Sequence, residues 1–293
     1  MPLTPLAPLA ARARARGEGI AAFNVVHLEN AESFAAAAEA AGTPVVMQIS
    51  QNAAKYHGGL APVGLATLEI ARRSTAEVVV HLDHADDLDL VSEALELGFT
   101  SVMYDGSALP DDHNRARTAE VVRAARARGV SVEAELGEVG GKDGVHDPSA
   151  RTDPGDAARF VADTGVDLLA VAVGSSHAMT ERTAALDDGL IARIAEAVPV
   201  PLVLHGSSGV ADADIQSAIR SGMTKINVST HLNKVLTGAV REFLAADPDV
   251  VDTRKWMRAG RDAGAAEAER LMRLFRDAAR RPRSAAAVSP LHP

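Results

Sequence analysis

Residues 78–87 read VVVHLDHADD. Three β-branched residues in a row fit a strand buried on both faces. The run then passes at once into His81, Asp83 and His84, and on into Asp86 and Asp87. A strand that is apolar along its length and polar at its C-terminal end suits a parallel sheet covered by helices. In such sheets the chemistry gathers where strands give way to loops.

The same alternation extends in both directions. Apolar runs at 19–26, 43–50, 76–83, 100–105, 130–136, 166–173, 200–206 and 223–229 have strand character. Each is followed by an Ala-, Leu-, Glu- and Arg-rich helical run, at 29–41, 61–74, 87–97, 110–128, 154–164, 188–197, 211–221 and 231–246. Gly98, Gly129 and Gly165 stand where helices should end, and Pro154 where one should begin. A final helical run covers 252–279. Eight βα units predict an α/β fold, a closed (β/α)8 TIM barrel with an extra C-terminal helical segment. An open doubly wound sheet is the alternative. No linker or shift in composition divides the chain, so 1–280 reads as a single barrel domain and 281–293 as a disordered tail.

Hydrophobic residues make up 47% of the 293 and aromatics only 3%, so the core must be built from Ala, Val, Leu and Ile. The net charge of −9 argues against nucleic acid, whose phosphates call for clustered Lys and Arg. With no cysteine there are no disulfides and no thiolate metal sites, so a metal must be held by His, Asp or Glu. No apolar run approaches the ~18 residues that span a membrane, and a cytoplasmic location is expected. The Arg-rich start, MPLTPLAPLAARARARGEG, is compatible with a transit peptide or with a short amphipathic helix. Gly17 and Gly19, leading straight into an apolar strand, favour the helix.

Polar residues stand at every strand end. They are Asn24; Gln48 and Ser50; His81, Asp83 and His84; Tyr104 and Asp105; Glu133 and Glu135; His177; His205; and Asn227 with Thr230. His84, His177 and His205 thus fall just past strands three, six and seven. Three neutral imidazoles around an open fourth position are a common arrangement for catalytic zinc. Asp105 and Glu135 can hold a second or monovalent cation, or orient a ligand. Side chains alternate along a strand, so His81 belongs to the barrel interior with Asp83. His84 and Asp83 can then serve together only if the strand ends there, which makes Asp83 a candidate acid or base. Asp86 and Asp87 read as first-turn acids of a helix. His27, His57, His113, His146 and His231 show no partner pattern and read as surface or capping groups. HGSSG (205–209) and NVST (227–230) lie where barrels often seat phosphate on backbone N–H groups and small hydroxyls. ELGEVGGKDG (135–144) reads as a mobile loop able to carry Lys142 or Asp143 into the site.

From about residue 10 to 280 the chain resembles the class II, metal-dependent fructose-bisphosphate and tagatose-bisphosphate aldolases. The marks are AFNV (22–25), VVVHLDH (78–84), EAELGEVGG (133–141), VGSSH (173–177), LHGSSG (204–209) and KINVST (225–230). The resemblance implies that His84, His177 and His205 bind a catalytic Zn2+, with Asp105 and Glu135 near it. It implies that Asp83 moves the proton of the C4 hydroxyl in a reversible retro-aldol cleavage, giving dihydroxyacetone phosphate and an aldehyde. Zn2+ would polarise the ketone and stabilise the enediolate as a Lewis acid. Gly206, Ser208, Asn227 and Thr230 match positions that hold phosphate and triose, and Asn24 and Ser50 match positions lining the pocket. The family is dimeric or larger, so a homodimer or homotetramer is expected, with the 252–279 run packed on a partner subunit.

Three departures stand out. Asp143 occupies the place of the family's loop glutamate, which takes the C1 proton. After His177, Ala178 replaces a glycine and Glu181 falls where a phosphate-binding lysine is usual, with Arg182 beside it to compensate. Ser175 and Ser176 replace the usual Thr-Ala. The reading that follows is a zinc-dependent aldolase acting on a fructose 1,6-bisphosphate-like ketose. One alternative is the same reaction on a different or less phosphorylated ketose. A barrel hydrolase using zinc-bound water with Asp83 as general base is another. A non-catalytic binding module of the same fold is the last.

Overall fold

The computed structural model describes residues 3–136, 151–176, 179 and 181–280. Eight parallel strands close into a barrel in sequence order: β1 Ile20–Asn24, β2 Val45–Ser50, β3 Val78–Ala85, β4 Ser101–Tyr104, β5 Ser131–Leu136, β6 Leu168–Val171, β7 Leu202–Leu204 and β8 Met223–Val228. β8 pairs with β1, so the closed barrel holds and the open-sheet alternative does not.

The N-terminal helix α1 (Leu6–Arg16) ends on Gly17 in the left-handed region and runs directly into β1. Its Leu6, Leu9, Ala10 and Ala13 pack on Ile20, Ala22, Val46, Val79, Leu168, Ala170 and Val203, closing the N-terminal mouth of the barrel. The remaining helices are α2 Leu28–Ala41, α3 Gln51–Tyr56, α4 Ala61–Arg73, α5 Leu88–Leu97, α6 Asp111–Arg126, α7 Pro154–Thr164, α8 Asp188–Ala197, α9 Asp212–Ser221, α10 Thr230–Ala246 and α11 Thr253–Arg276. Short α3 was not expected. Ser50 caps it, its Oγ accepting from Ala53 N at 3.1 Å, and six residues are too few to show a helical period.

Alternation along the strands sorts the interior into layers. Val78, Val80 and Leu82 face the helices, while Val79 belongs to the apolar floor over α1. Further along the same inward face come His81 and Asp83. In the same way Val46 is followed by Gln48, Ala22 by Asn24, Ser131 by Glu133 and Glu135, Val203 by His205, and Lys225 by Asn227. The barrel is thus apolar at its floor and polar towards its C-terminal rim. Each fully buried Leu or Phe side chain in the outer layer contributes about 1.5–3 kcal/mol of transfer free energy.

The buried stripe of α11, with Gly264, Ala268, Leu271 and Phe275, lies against the body of its own chain. Ser33 Oγ on α2 donates to Arg261 O at 2.9 Å. That stripe of α11 is the side packed within the chain. Among the described residues no helix is long and apolar enough to cross a membrane. The 281–293 tail lies outside the described residues.

Candidate active site

The strand ends surround a cleft of about 250 Å³ lined by Asn24, Gln48, Ser50, Asn52, Asp83, His84, His205, Gly206, Ser208, Asn227, Ser229 and Thr230. It therefore joins ten residues singled out from the sequence, Gln48 among them, with Asn52 and Ser229. Asp105 and Glu135 stand behind His84. His177 and Asp143, and the loop that carries Asp143, lie outside the described residues.

β3 does not stop at Asp83, as the sequence suggested it must for both neighbours to serve. It runs on to Ala85, with its register against β4 shifted between Leu82 and Ala85. His84 sits inside this irregularity with φ of 48°. The bulge swings the ring to the side of the barrel that strict alternation would deny it. A left-handed backbone on a residue with a Cβ costs roughly 1–2 kcal/mol, a strain typical of functional positions. Asp86 and Asp87 turn away from the cleft. Asp87 caps α5, accepting from Asp89 N at 2.9 Å, and Asp86 Oδ1 accepts from Gln51 Nε2 at 2.6 Å.

The two imidazoles are held from behind by carboxylates. Asp105 Oδ2 lies 2.8 Å from His84 Nδ1, and Glu133 Oε1 lies 2.9 Å from His205 Nε2. An ionised carboxylate only accepts, so the protons sit on those nitrogens. The remaining nitrogens, His84 Nε2 and His205 Nδ1, face each other at 2.8 Å. Two lone pairs pointed at one another repel unless a proton or a metal ion is shared between them, and two such nitrogens beside a carboxylate are a donor set that suits a metal. Asp83, His84 and His205 each bring a ligand atom within 4.8 Å of the others, as do His84, Asp105 and Glu135. The chain therefore fits a metal at this rim.

Asp83 is buried beside the pair. Its Oδ2 accepts from Asn24 Nδ2 at 3.0 Å and Gln48 Nε2 at 3.3 Å. Its Oδ1 has no hydrogen-bond partner among the described residues. Burial pushes this carboxyl up, but the electrostatic influence of the neighbouring His84, Lys225 and His205 side chains and the hydrogen bond from the Asn24 amide outweigh it and hold it below its ordinary range. His81 behaves as the alternation predicted. It is fully buried, its Nδ1 is 2.8 Å from Ser101 Oγ, and burial together with the charge of Lys225 lowers it to about 3.

On the opposite wall, Gly206 has φ of 66°, and a Cβ there would stand 2.6 Å from the Ser176 backbone. This close crossing ties the loop after β6 to the loop after β7. Ser208 Oγ accepts from His231 N at 3.2 Å in the first turn of α10, whose N-terminus borders the cleft. No Lys or Arg is among the described residues lining the cleft. Glu181 is exposed, and Arg182 is engaged by Asp212 at 2.5 Å.

Sequence reasoning gave Glu133 and Lys225 no role. Both are completely buried, and Lys225 Nζ lies 2.9 Å from Glu133 Oε2. The available signal was parity, since each sits two residues below a rim residue on an inward face.

Residues 4–280 match the family model described as fructose-bisphosphate aldolase class-II. The chain is 42% identical over 257 residues to the fructose-bisphosphate aldolase of Geobacillus stearothermophilus, covering 86% of this chain and 90% of that one. It is 37% identical to that of Giardia intestinalis, covering 90% of each. Among solved structures, the YdjI aldolase from Escherichia coli K12 superposes with a TM-score of 0.83 at 32% identity, covering 93% of this chain and 97% of that one. The Campylobacter jejuni fructose-bisphosphate aldolase shares the fold with a TM-score of 0.78 at 22% identity. Matches of this extent, on a closed barrel whose rim carries paired imidazoles and carboxylates, place the chain in the class II fructose-bisphosphate aldolase family, a family of metal-dependent aldehyde-lyases.

Proposed function

We propose that the chain is a zinc-dependent aldolase that reversibly cleaves a ketose bisphosphate of the fructose 1,6-bisphosphate type to dihydroxyacetone phosphate and an aldehyde. One observation carries this reading: His84 Nε2 and His205 Nδ1 converge at 2.8 Å, each backed by a carboxylate, beside an Asp83 with one oxygen unengaged. Three-coordinate histidine sites with an open position suit zinc. His177 is the third nitrogen, assigned from its place in VGSSH. Asp105, hydrogen-bonded to the far nitrogen of His84, orients that ring, and Glu135 lies 4.0 Å from the same nitrogen.

Bound there, the ion supplies Lewis-acid polarisation of substrate oxygens. The protein does the rest. Asn24 and Gln48 fix Oδ2 of Asp83, which leaves Oδ1 to accept the C4 hydroxyl proton as the C3–C4 bond breaks. Ser208, Ser229 and Thr230, with the N-terminal amides of α10, offer donors to a phosphate. Gly206 lets the two loops close over them without a side chain between. Asp143 takes the place of the family's loop glutamate for the C1 proton.

A second reading is favoured by the wall of the cleft. With Arg182 held by Asp212 and Glu181 at the family's lysine position, the phosphate grip rests on neutral donors. A ketose with one phosphate then competes well. Family membership sets the hydrolase alternative aside. The test is C3–C4 cleavage of fructose 1,6-bisphosphate, fructose 1-phosphate and fructose, read as total triose released, whether phosphorylated or not. Cleavage of the first at least tenfold faster than of fructose supports the proposal. Equal rates on the bisphosphate and the unphosphorylated sugar rule out the phosphate seat.

A further inference from the structure

Beneath the paired histidines lies an ion pair that the mechanism does not use. Glu133 and Lys225 are both 0% exposed. Glu133 Oε1 reaches His205 Nε2 at 2.9 Å, and Oε2 reaches Lys225 Nζ at 2.9 Å and His81 Nε2 at 3.9 Å. Neither residue lines the cleft. Buried ion pairs are poor stabilisers, and apolar residues of similar volume often replace them without loss. A pair kept in the barrel interior, with one oxygen on a candidate metal ligand, therefore points to a task other than stability.

We propose that Glu133 and Lys225 are positioning residues that set which nitrogen of His205 is offered to the metal. Glu133 Oε1 keeps the proton on Nε2, so Nδ1 carries a lone pair on the cleft side, against His84 Nε2. Lys225 pairs with Oε2 as a counter-ion, which draws that oxygen away from the rim and keeps Oε1 on His205. The proposal rests on the reading of His205 as a ligand. Its logic is directional. If an amide replaces the carboxylate, Lys225 claims the amide oxygen, because an ammonium only donates. The NH2 group then faces His205 Nε2, which must accept, and the proton moves to Nδ1, where it blocks the metal. Removing Lys225 as well frees the amide to turn its oxygen back to His205.

Three variants test this in the full-length protein: Glu133→Gln, Glu133→Gln with Lys225→Met, and Glu133→Leu with Lys225→Met. Zinc affinity is measured by competition with a chromophoric chelator, and the His205 tautomer by nitrogen-15 NMR of the metal-free protein. Glu133→Gln should lower zinc affinity about 10–100-fold, the usual effect of losing such a partner, and convert His205 to the Nδ1–H tautomer. The Gln/Met double variant should recover both, while the Leu/Met variant, which has no acceptor, should not. The two double variants decide the matter even if Glu133→Gln alone fails to fold. A tenfold gap in zinc affinity between them supports the proposal, and equal affinity overturns it. Wild-type affinity and tautomer in Glu133→Gln also overturn it. His205→Ala separates the layers: zinc affinity unchanged in that variant removes the ligand reading itself, whatever Glu133 does.

Discussion

His84 Nε2 and His205 Nδ1 stand 2.8 Å apart although the residues are separated by 121 positions in the chain. The contact depends on an unusual backbone at one end. His84 reaches it from a bulge in β3, at φ of 48°. Asparagine tolerates that conformation better than other residues with a side chain. His84→Asn should therefore leave the unfolding midpoint of the metal-free protein nearly unchanged while zinc retention after dialysis is lost. A variant that keeps stoichiometric zinc removes His84 from the ligand set.

Asp83 offers a different outcome. Its Oδ2 is held by Asn24 and Gln48, and its role is assigned to the unengaged Oδ1. Asp83→Ala should keep zinc content, read by atomic absorption, and lose turnover by about 10²–10⁴-fold, the range for a general acid or base. Loss of zinc together with turnover would mean that Asp83 is part of the metal cradle and not the proton carrier.

The eight strands were legible because parallel strands buried on both faces read as plain apolar runs, and because glycines such as Gly98 and Gly165 mark helix ends in the left-handed region. The rim residues were legible because each polar residue followed such a run. What escaped was set by tertiary structure. Alternation alone turns His84 away from Asp83, and only the irregular pairing of β3 with β4 brings it back. Lys225 stood as one letter inside KINVST, and its partner Glu133 is 92 residues earlier by number, so nothing local announced the pair. The parity of Lys225 with Asn227 was the usable clue.

The crossing at Gly206 is expected to be unforgiving. Alanine there must adopt a left-handed backbone and place its Cβ 2.6 Å from the Ser176 main chain. Gly206→Ala should destabilise the fold by about 2–4 kcal/mol in denaturant titrations, in the range of combined backbone and packing faults. A loss under about 0.5 kcal/mol would show that the two loops separate freely.

Away from the cleft, Glu267 predicts an acid response. Burial raises its carboxyl, but hydrogen bonds from Arg270 and His231 outweigh this and bring it from an ordinary 4.5 to about 2. A carboxyl lowered in the folded state stabilises above its unfolded value, and that stabilisation drains away as pH falls from about 4.5 towards 2. Because the network is partly solvated, its size is about 1 kcal/mol. Subtracting the stability–pH curve of Glu267→Gln from that of the wild type should leave a step of this size in that window. A flat difference would place the network among surface pairs without energetic weight.

The central claim is that a metal held by His84, His177 and His205 is required for aldol cleavage. The most direct measurement is release of dihydroxyacetone phosphate from fructose 1,6-bisphosphate by protein stripped with EDTA and then titrated with Zn2+. The account predicts no measurable release from the stripped protein and a linear return of activity that saturates near one zinc per chain. Full cleavage by the stripped protein, or none at any zinc concentration, would contradict it.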